Sequence, residues 1–323
     1  MERIIKVLKD CRGKWVSGEE LARLSGITRA GVWKRINQLR EMGYRIESAP
    51  RNGYCLVGIP DLNPFEIRDG LKTERFGRDI HYQDVVDSTN RLAKRLAVDG
   101  AREGTLVLAE SQTQGRGRLG RSWVSTRGKG LWFSLILRPK ISAADLAGMT
   151  ILTAVSMAKA IYDTVGIRVL IKWPNDLVYQ DRKLAGILAE VNGEADLVNY
   201  LIIGLGLNVN QEEDDFPPEL KQSAVSLRMI HGSELSRRPI LQEFLSVFEG
   251  NYAALSNGGL AKIIEYAKSY SATLGKAVRV NQGYHRTVTG EAVDLDGDGS
   301  LWLKESSGEL LRIYAGEIIE NME

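Results

Sequence analysis

The hydrophobic pattern of this chain changes near residue 60, and that change limits the folds it can adopt. Before Pro60, apolar residues recur at helical spacing in three short segments, and two alternating runs follow them. After Pro64, strand patterns alternate with helical ones. Because 323 residues exceed what one hydrophobic core normally serves, the sequence predicts separate domains on either side of a linker at 60–64.

The first forty residues show the pattern of a helix-turn-helix. Ser17 and Thr28 are suited to cap the second and third helices, and Ser17 with Glu20 matches a capping box. The predicted buried faces are Ile4, Ile5 and Leu8 in the first helix, Leu21 and Leu24 in the second, and Val32, Ile36 and Leu39 in the third. Since only a tight turn at 25–27 separates the second helix from the third, the pair predicts a helix-turn-helix.

The third helix carries side chains that suit DNA on the face opposite its buried stripe. Asn and Gln bond adenine edges, while Lys and Arg reach guanine or phosphate. Alternating runs at 44–48 and 54–57, separated by a turn at 51–53, predict a hairpin and therefore a wing. The residues expected to contact DNA are Arg29, Ala30, Lys34, Asn37, Gln38 and Arg51, with Arg35 at the flank.

A small helical protein-interaction module with a solvated basic face is the alternative. Residues 1–60 carry twelve Lys or Arg against six Asp or Glu, although the whole chain has a formal net charge of only +2. Positive charge concentrated beside a wing favours a nucleic-acid partner. Residues 1–60 are therefore predicted to form a winged helix-turn-helix domain that binds DNA.

Composition narrows the class of protein. Hydrophobic residues make up 43% and charged residues 26% of the chain, as in folded globular proteins. We find no secretory leader and no apolar run long enough for a transmembrane helix, so a cytoplasmic protein without a membrane partner is expected. Cys11 and Cys55 are the only cysteines, and the histidines lie far from both in sequence, so we expect no structural metal held by protein alone.

Apolar runs beyond residue 100 predict a sheet that is antiparallel in part. Several runs follow one another across short turns, which favours an α+β layer over a doubly wound fold. The strand candidates are 105–109, 131–137, 169–172, 184–191 and 197–205, with a long helix over 142–165. From residue 271, short alternating strands indicate a small β-barrel. The expected class is α+β multidomain, with a mixed-sheet domain at 61–270 and a barrel at 271–323.

An arginine- and glycine-rich loop lies between two of the predicted strands. It runs Gln112-Thr-Gln-Gly115-Arg116-Gly117-Arg118-Leu-Gly120-Arg121-Ser-Trp123. Glycine lets successive N–H groups converge on an anion, and arginine supplies cations for phosphate or carboxylate oxygens. The alternatives are a flexible basic surface loop and an RNA-binding segment. Because the loop is single, short and closed by an aromatic residue within a sheet domain, it favours a polyphosphate site.

Polar groups also gather at the ends of other predicted strands. These motifs are Lys172-Trp173-Pro174-Asn175-Asp176, Lys183-Leu184-Ala185-Gly186-Ile187 and Asp87-Ser88-Thr89-Asn90. Strand ends hold active-site groups rigidly, and a lysine there stabilises developing negative charge. The first two also match hairpins with surface charges, and the third matches a helix cap. A further motif, Gly204-Leu-Gly206-Leu-Asn208-Val-Asn210, lacks the third glycine of a dinucleotide fingerprint and disfavours a Rossmann fold.

Taken together, these motifs resemble those of the biotin protein ligase family, in the bifunctional class that also represses the biotin operon. The chain contains STN, GRGRxGRxW, KWPND, KLAGIL and GLGLNVN in the family's order and spacing. The resemblance covers nearly the whole chain. It implies an N-terminal winged helix, a central catalytic domain like that of class II synthetases and a C-terminal SH3-like barrel.

The resemblance also implies a reaction and roles for residues. Biotin and ATP, with Mg²⁺, would form biotinyl-5'-AMP, from which biotin passes to a lysine of the biotin carboxyl carrier protein of acetyl-CoA carboxylase or of another biotin-dependent carboxylase. Residues implied for biotin are Ser88, Thr89, Asn90, Gln112, Gly115, Arg116, Gly117, Arg118, Lys183, Gly186 and Gly204. Those implied for the nucleotide are Arg116, Arg118, Arg121, Trp123, Lys172, Asn175 and Asn208. The catalytic candidates are Lys183, Arg118 and Asp176.

Operator DNA and a second copy of the chain are the remaining implied partners. Closure of the arginine loop over biotinyl-5'-AMP changes a surface and so favours a homodimer, which presents two reading helices to a palindromic operator. Two other functions stay open at this point. One is a ligand-sensing transcription factor without enzymatic activity, and the other is a ligase for lipoate or another acyl acid.

Residues 294–305 match the pattern of a calcium-binding loop. Asp294, Asp296, Asp298, Gly299 and Glu305 occupy its characteristic positions. An EF-hand needs helices on both sides, whereas the flanks at 287–290 and 301–303 alternate as strands do. The segment is therefore predicted to be a Gly-rich hairpin turn.

Overall fold

The computed structural model describes residues 2–139, 146–194, 197–255, 258–283 and 286–322. The chain divides into two compact units, Met1–Asp69 and Gly70–Glu323. The first unit runs past the linker that the sequence predicts at 60–64. The second contains both the mixed sheet and the C-terminal strands, so the domain boundary predicted near 270 falls inside it.

The first unit contains the predicted helix-turn-helix and wing. Its elements are helices α1 (Glu2–Asp10), α2 (Gly18–Ser25) and α3 (Arg29–Glu41) and the antiparallel strands β1 (Arg45–Ala49) and β2 (Gly53–Gly58). Ser17 accepts a hydrogen bond from the Glu20 N–H and Thr28 accepts one from the Gly31 N–H, as N-caps do. The predicted buried faces are confirmed except at Leu24, which is exposed because the buried face of α2 runs through Leu21 and Ser25.

A fourth helix, α4 (Pro64–Asp69), also belongs to this unit. Its Glu66 is buried, and the carboxylate accepts a hydrogen bond from the Tyr44 hydroxyl at 2.5 Å. Lys9 Nζ lies 2.7 Å from the same carboxylate. These contacts attach the segment that follows the predicted linker to the winged helix.

A seven-stranded sheet forms the centre of the second unit. In spatial order its strands are β3 (Ile80–Val86), β4 (Leu106–Gln112), β5 (Gly130–Leu137), β9 (Leu197–Asn208), β8 (Arg182–Glu194), β7 (Asp176–Tyr179) and β6 (Leu170–Lys172). Strands β3 and β4 pair in parallel, and the other neighbours are antiparallel. The predicted mixed sheet is therefore confirmed.

The second unit also contains helices, some of which pack against this sheet. They are α5 (Thr89–Val98), α6 (Leu146–Val165), α7 (Leu227–His231), α8 (Arg237–Ala254) and α9 (Leu260–Ser269). The predicted long helix is present as α6, and its predicted start at 142 lies outside the described residues. In the part of the chain that the structure describes, no helix is both long and apolar enough to cross a membrane.

The C-terminal strands form an antiparallel five-stranded sheet. Its order is β13 (Leu310–Ile313), β12 (Leu301–Lys304), β11 (Thr287–Leu295), β10 (Ala277–Asn281) and β14 (Glu317–Met322). Within the described residues β13 and β14 are its edges, so the pairing is that of an open sheet, and closure into the predicted SH3-like barrel stays a prediction. Strands β11 and β12 flank the segment that imitates a calcium loop, which confirms the predicted hairpin.

Candidate active site

A cavity of about 390 Å³ opens beside the central sheet of the second unit, a volume that suits a small-molecule ligand. Its walls come from the β3–α5 junction, the loop after β4, the turn between β6 and β7, strands β8 and β9, and the start of β14. The predicted biotin, nucleotide and catalytic residues that line it are Ser88, Thr89, Asn90, Gln112, Arg116, Gly117, Arg118, Arg121, Trp123, Lys172, Asn175, Asp176, Lys183, Gly186, Gly204 and Asn208.

Gly115 is the one predicted ligand residue that does not line the cavity. Its carbonyl oxygen accepts a hydrogen bond from the Trp123 N–H at 2.9 Å, and a Cβ at this position would overlap the Trp123 carbonyl oxygen. Glycine is therefore required here because the two limbs of the arginine loop approach each other too closely for a side chain.

Part of the cavity wall consists of uncharged polar side chains. Ser88, Thr89 and Asn90 are all buried. Gln112 Oε1 accepts a hydrogen bond from the Thr89 N–H at 2.8 Å, and Gln112 Nε2 donates one to Ser125 Oγ at 2.9 Å. Ser88 occupies the N-cap position of α5 but makes no side-chain capping hydrogen bond. The geometry therefore favours ligand contact over the helix-cap interpretation of this motif.

Ser134 completes this network, although it belongs to none of the sequence motifs. The residue is fully buried in β5, where its Oγ lies 2.8 Å from Thr89 Oγ1 and 2.6 Å from Asn90 Oδ1. A buried hydroxyl must find polar partners, so a lone serine in the otherwise apolar run Gly130–Leu137 was the available signal.

Two carboxylates from distant strands meet the arginine loop. Arg116 Nη1 lies 3.8 Å from Glu190 Oε1 on β8, and Arg121 forms an ion pair with Glu317 at the start of β14. Neither carboxylate belongs to a recognised motif. Only the tertiary structure places them opposite the loop, and no local pattern in the sequence points to them.

Lys183 and Arg118 bring positive charge into the cavity. Lys183 Nζ pairs with Asp176 Oδ2 at 2.8 Å, while Arg118 Nη1 donates to Asn175 Oδ1 at 3.2 Å. Burial lowers the pKa of Arg118 from its ordinary value, and the charges of Glu317 and Asp176 oppose that shift. Asp176 Oδ1 is buried and has no hydrogen-bond partner within the described residues. Lys183 and Arg118 thus add their charges to those of the other arginine and lysine side chains that line the cavity, and one carboxylate oxygen there is unsatisfied within the described residues.

The indole ring of Trp123 lies against the glycines of β8 and β9. A Cβ on Gly206 would come within 2.5 Å of this ring and a Cβ on Gly186 within 2.9 Å. Lys183 Nζ is 5.6 Å from the ring centroid. The glycines of the KLAGIL and GLGLNVN motifs therefore let a flat aromatic wall approach the sheet beside the cationic group.

Asn208 is placed differently from the other predicted nucleotide residues. It is buried, its Nδ2 donates to the Val225 carbonyl oxygen at 3.1 Å, and its Oδ1 accepts from Gln211 Nε2 at 2.9 Å. Both polar atoms of the side chain are thus engaged within the protein. Asn208 stabilises the cavity wall, and its contact with a nucleotide stays a prediction.

The predicted DNA-contacting residues lie in the first unit. Arg29, Ala30, Lys34 and Arg51 are exposed, whereas Asn37 and Gln38 are half-buried. Asn37 Oδ1 accepts a hydrogen bond from Arg40 and Gln38 Oε1 accepts one from Arg35, so both amides already have partners on the same helix. Trp33 on α3, which was not among the residues predicted to contact DNA, is 61% exposed.

Family models match three parts of the chain. A helix-turn-helix domain model matches residues 1–55, the biotin/lipoate A/B protein ligase family model matches residues 82–208, and the biotin protein ligase C-terminal domain model matches residues 273–319. The chain therefore belongs to the biotin protein ligase family, and the helix-turn-helix places it in the class that combines a ligase with a repressor.

Individual relatives agree with that class. The bifunctional ligase/repressor BirA of Bacillus spizizenii is 40% identical over 98% of this chain and 97% of its own length. BirA of Escherichia coli is 30% identical over 95% of this chain and 93% of its own length. The structure of the Aquifex aeolicus biotin protein ligase in complex with biotin and ATP is 31% identical, with a TM-score of 0.66 over 75% of this chain and 97% of that one.

Proposed function

We propose that the cavity joins biotin to AMP and that biotin then passes to a lysine of a carrier protein, the biotin carboxyl carrier protein of acetyl-CoA carboxylase or a related carboxylase. The observation that carries this proposal is the contrast within one cavity between a neutral hydrogen-bonding network and a cationic group. A ureido ring is neutral and offers donors and acceptors, whereas carboxylate and phosphates need cations. The Aquifex relative was solved with both biotin and ATP.

Biotin is assigned to the neutral network. Ser88, Thr89, Asn90 and Gln112, with Ser134 behind them, supply hydroxyl and amide groups that match a ureido ring. Gly204 leaves room for Asn90, because a Cβ at Gly204 would overlap the Asn90 amide. The network thus fixes the ring and directs the carboxylate tail toward the cations.

In the first step a biotin carboxylate oxygen bonds to the α-phosphorus of ATP, and the bond to pyrophosphate breaks. The two reactants are both anions, so their repulsion is the first barrier. Arg118 and Lys183 offset it, because preorganised cations stabilise charge that develops in the transition state. Arg116 and Arg121 extend the positive wall toward the phosphates, and Trp123, Lys172 and Asn175 form the nucleotide side.

Mg²⁺ bound with ATP would neutralise phosphate charge. Asp176 is the side chain that fits such an ion, since its Oδ1 is buried and unpaired in the described part of the chain, and carboxylate oxygen is a preferred ligand of Mg²⁺. The same carboxylate is suited to orient the incoming amine.

In the second step the carrier lysine attacks the carbonyl carbon of biotinyl-5'-AMP. A new C–N bond forms, the amine loses a proton, and the bond to the phosphate oxygen breaks with AMP as leaving group. The loop from Ser111 to Trp123 lines the cavity. When it closes over biotinyl-5'-AMP it excludes water and so limits hydrolysis of the mixed anhydride. We propose that the protein carries out these reactions in the cytoplasm.

The winged helix gives the protein its repressor role, with operator DNA as the ligand of α3 and the wing. Arg116 and Arg121 belong to the arginine loop, and closure of this loop over biotinyl-5'-AMP would change the surface of the protein. We therefore expect biotinyl-5'-AMP to favour a homodimer that binds a two-fold operator. Equal operator affinity with and without biotin and ATP would contradict this coupling.

ATP–pyrophosphate exchange tests the enzymatic proposal. The purified protein is assayed with biotin, with lipoate and with no added acid. Exchange that depends on biotin supports the proposal, and exchange that depends on lipoate would replace it with a lipoate ligase. Failure of exchange with every acid would leave a ligand-sensing DNA-binding protein.

A further inference from the structure

The acidic turn that imitates a calcium loop is held by an arginine side chain. Arg312 Nη2 lies 2.6 Å from Asp296 Oδ2 and 2.9 Å from Asp298 Oδ2. Arg312 Nε donates to Ser300 Oγ at 2.9 Å, and Asp298 Oδ1 accepts from the Ser300 N–H at 2.9 Å. One guanidinium therefore binds the side chains of Asp296, Asp298 and Ser300. In a calcium-binding loop the acidic oxygens would instead face a metal ion.

The tip of this turn contacts the active-site loop. The Gly299 carbonyl oxygen accepts a hydrogen bond from the indole Nε1 of Trp173 at 3.1 Å. Gly299 has a φ of +87°, and a Cβ there would come within 2.9 Å of Ile151 on α6, so the tip fits closely against its surroundings. The shape that Arg312 gives the turn thus sets where the Gly299 carbonyl lies.

Trp173 is the residue through which this contact reaches the cavity. It is only 3% exposed, and its backbone N–H donates a hydrogen bond to Thr273 Oγ1 at 3.0 Å. Its neighbours in sequence are Lys172 and, beyond Pro174, Asn175, which accepts a hydrogen bond from Arg118 at 3.2 Å. Any shift of the indole therefore moves the side chains proposed for the nucleotide.

We infer that the 296–300 turn of the C-terminal sheet is a positioning element for nucleotide chemistry, in which Arg312 and Gly299 hold Trp173 and so the 172–176 loop in place. This inference rests on the proposed function of the cavity and adds to it Arg312 and Gly299, which do not line the cavity, and Trp173, which lines it but is not assigned to either substrate. The biotin network belongs to β4, β5 and α5, so the effect is confined to the nucleotide side.

Trp173→Phe removes the indole N–H and keeps a large aromatic side chain. A neutral hydrogen bond contributes about 0.5–1.5 kcal/mol, so kcat for biotin-dependent pyrophosphate exchange should fall about twofold to tenfold. The KM for biotin should stay unchanged. A loss that disappears when rates are corrected for the folded fraction would overturn the inference, because it would reflect stability alone.

A double-mutant cycle with Arg312→Ala tests whether the arginine acts through Trp173. Each single variant should lower kcat, and the double variant should lose no more than the more impaired of the two singles. Lys304→Ala, an exposed cation on the same sheet, is the matched control and should behave as the wild type. Strictly additive losses would show that the turn does not act through the indole.

Hydrogen exchange gives a readout that does not depend on activity. In full-length Arg312→Ala the peptide that contains the Trp173 amide should exchange faster than in the wild type, while the peptide over 88–92 should not change. Unchanged exchange at Trp173 would reject the positioning role even if the wild type is an active ligase. If the wild type shows no ATP–pyrophosphate exchange, the proposed function is rejected instead. The hydrogen-exchange measurement would then still show whether Arg312 stabilises the backbone at Trp173.

Discussion

Two regions of the molecule use similar side chains to meet anions, and they present them in opposite ways. On α3 of the first unit, Arg29 and Lys34 project from a regular helix whose buried stripe fixes its position, and both are exposed. In the loop after β4, Arg116, Arg118 and Arg121 each meet a polar partner from a separate element. On α3 the position of each cation is set by the helix, which its buried apolar side chains hold in place. In the loop the position of each cation is set by a contact of its own side chain.

The difference follows from what each region is proposed to bind. DNA phosphates form a long array, so exposed cations can contact it with little preorganisation, and the affinity falls with salt. A single carboxylate and a single α-phosphate demand fixed positions within a partly buried cavity. Substitutions should therefore have large, local effects in the loop region and moderate, salt-dependent effects on α3.

The largest effect is expected for Lys183→Ala. The ammonium group pairs with Asp176 at 2.8 Å and lies 5.6 Å from the centroid of the Trp123 ring, so its charge is held at a defined position in the cavity. Removing a preorganised charge should lower the rate of adenylation by about a hundredfold or more, while operator binding without ligand stays unchanged. Single-turnover formation of biotinyl-5'-AMP measures the loss. Lys94→Ala, exposed on α5, is the control, and a wild-type rate for Lys183→Ala would remove Lys183 from the mechanism.

Gly204→Ala should affect the neutral network rather than the cations. The added methyl group would overlap the Asn90 amide, which bonds Glu190 at 2.7 Å and must then move. We expect the KM for biotin to rise about tenfold or more, since overpacking costs about 1–3 kcal/mol, with a smaller change in the KM for ATP. Gly250→Ala provides the control, because nothing lies within 4 Å of its added Cβ. Equal changes in both KM values would mean that the network does not bind biotin.

Lys34→Ala should separate the helix from the loop. Loss of one phosphate contact should weaken operator binding severalfold at 0.15 M salt and reduce the slope of log Kd against log salt by about one. Pyrophosphate exchange should not change. Lys6→Ala on α1 is the matched control. A salt slope equal to that of the wild type would show that Lys34 does not face the DNA.

Glu317→Gln is expected to have the smallest effect. In its ion pair with Arg121, the Glu317 side chain is 23% exposed and the Arg121 side chain 63% exposed. A pair this exposed stabilises the closed loop by about 0.2–1 kcal/mol. Preformed biotinyl-5'-AMP should therefore leave the protein up to about fivefold faster, which a dissociation time course detects. Glu309→Gln, exposed in the turn between β12 and β13, should retain the wild-type rate. No difference between the two variants would show that the ion pair does not hold the loop.

Much of the architecture could be predicted because it depends on local patterns. Helical spacing located α1, α2 and α3 and their caps, and alternating apolar runs located most strands of the mixed sheet. Leu24 was predicted to be buried and is exposed, because periodicity identifies an apolar face without defining how far the neighbouring core extends. The extension of the first unit to Asp69 depends on the Tyr44–Glu66 contact, which joins residues far apart in sequence.

The site divides along the same line. The sequence by itself determined the residue types with strong chemical constraints: glycines where Trp123 approaches the sheet, arginines in one short loop, and a lysine with a carboxylate at strand ends. Only the tertiary structure decided that Ser134, Glu190 and Glu317 meet these motifs and that Arg312 reaches Trp173 through the Gly299 turn. The physical reason is that such contacts depend on how strands and turns distant in sequence pack together, which no local pattern encodes.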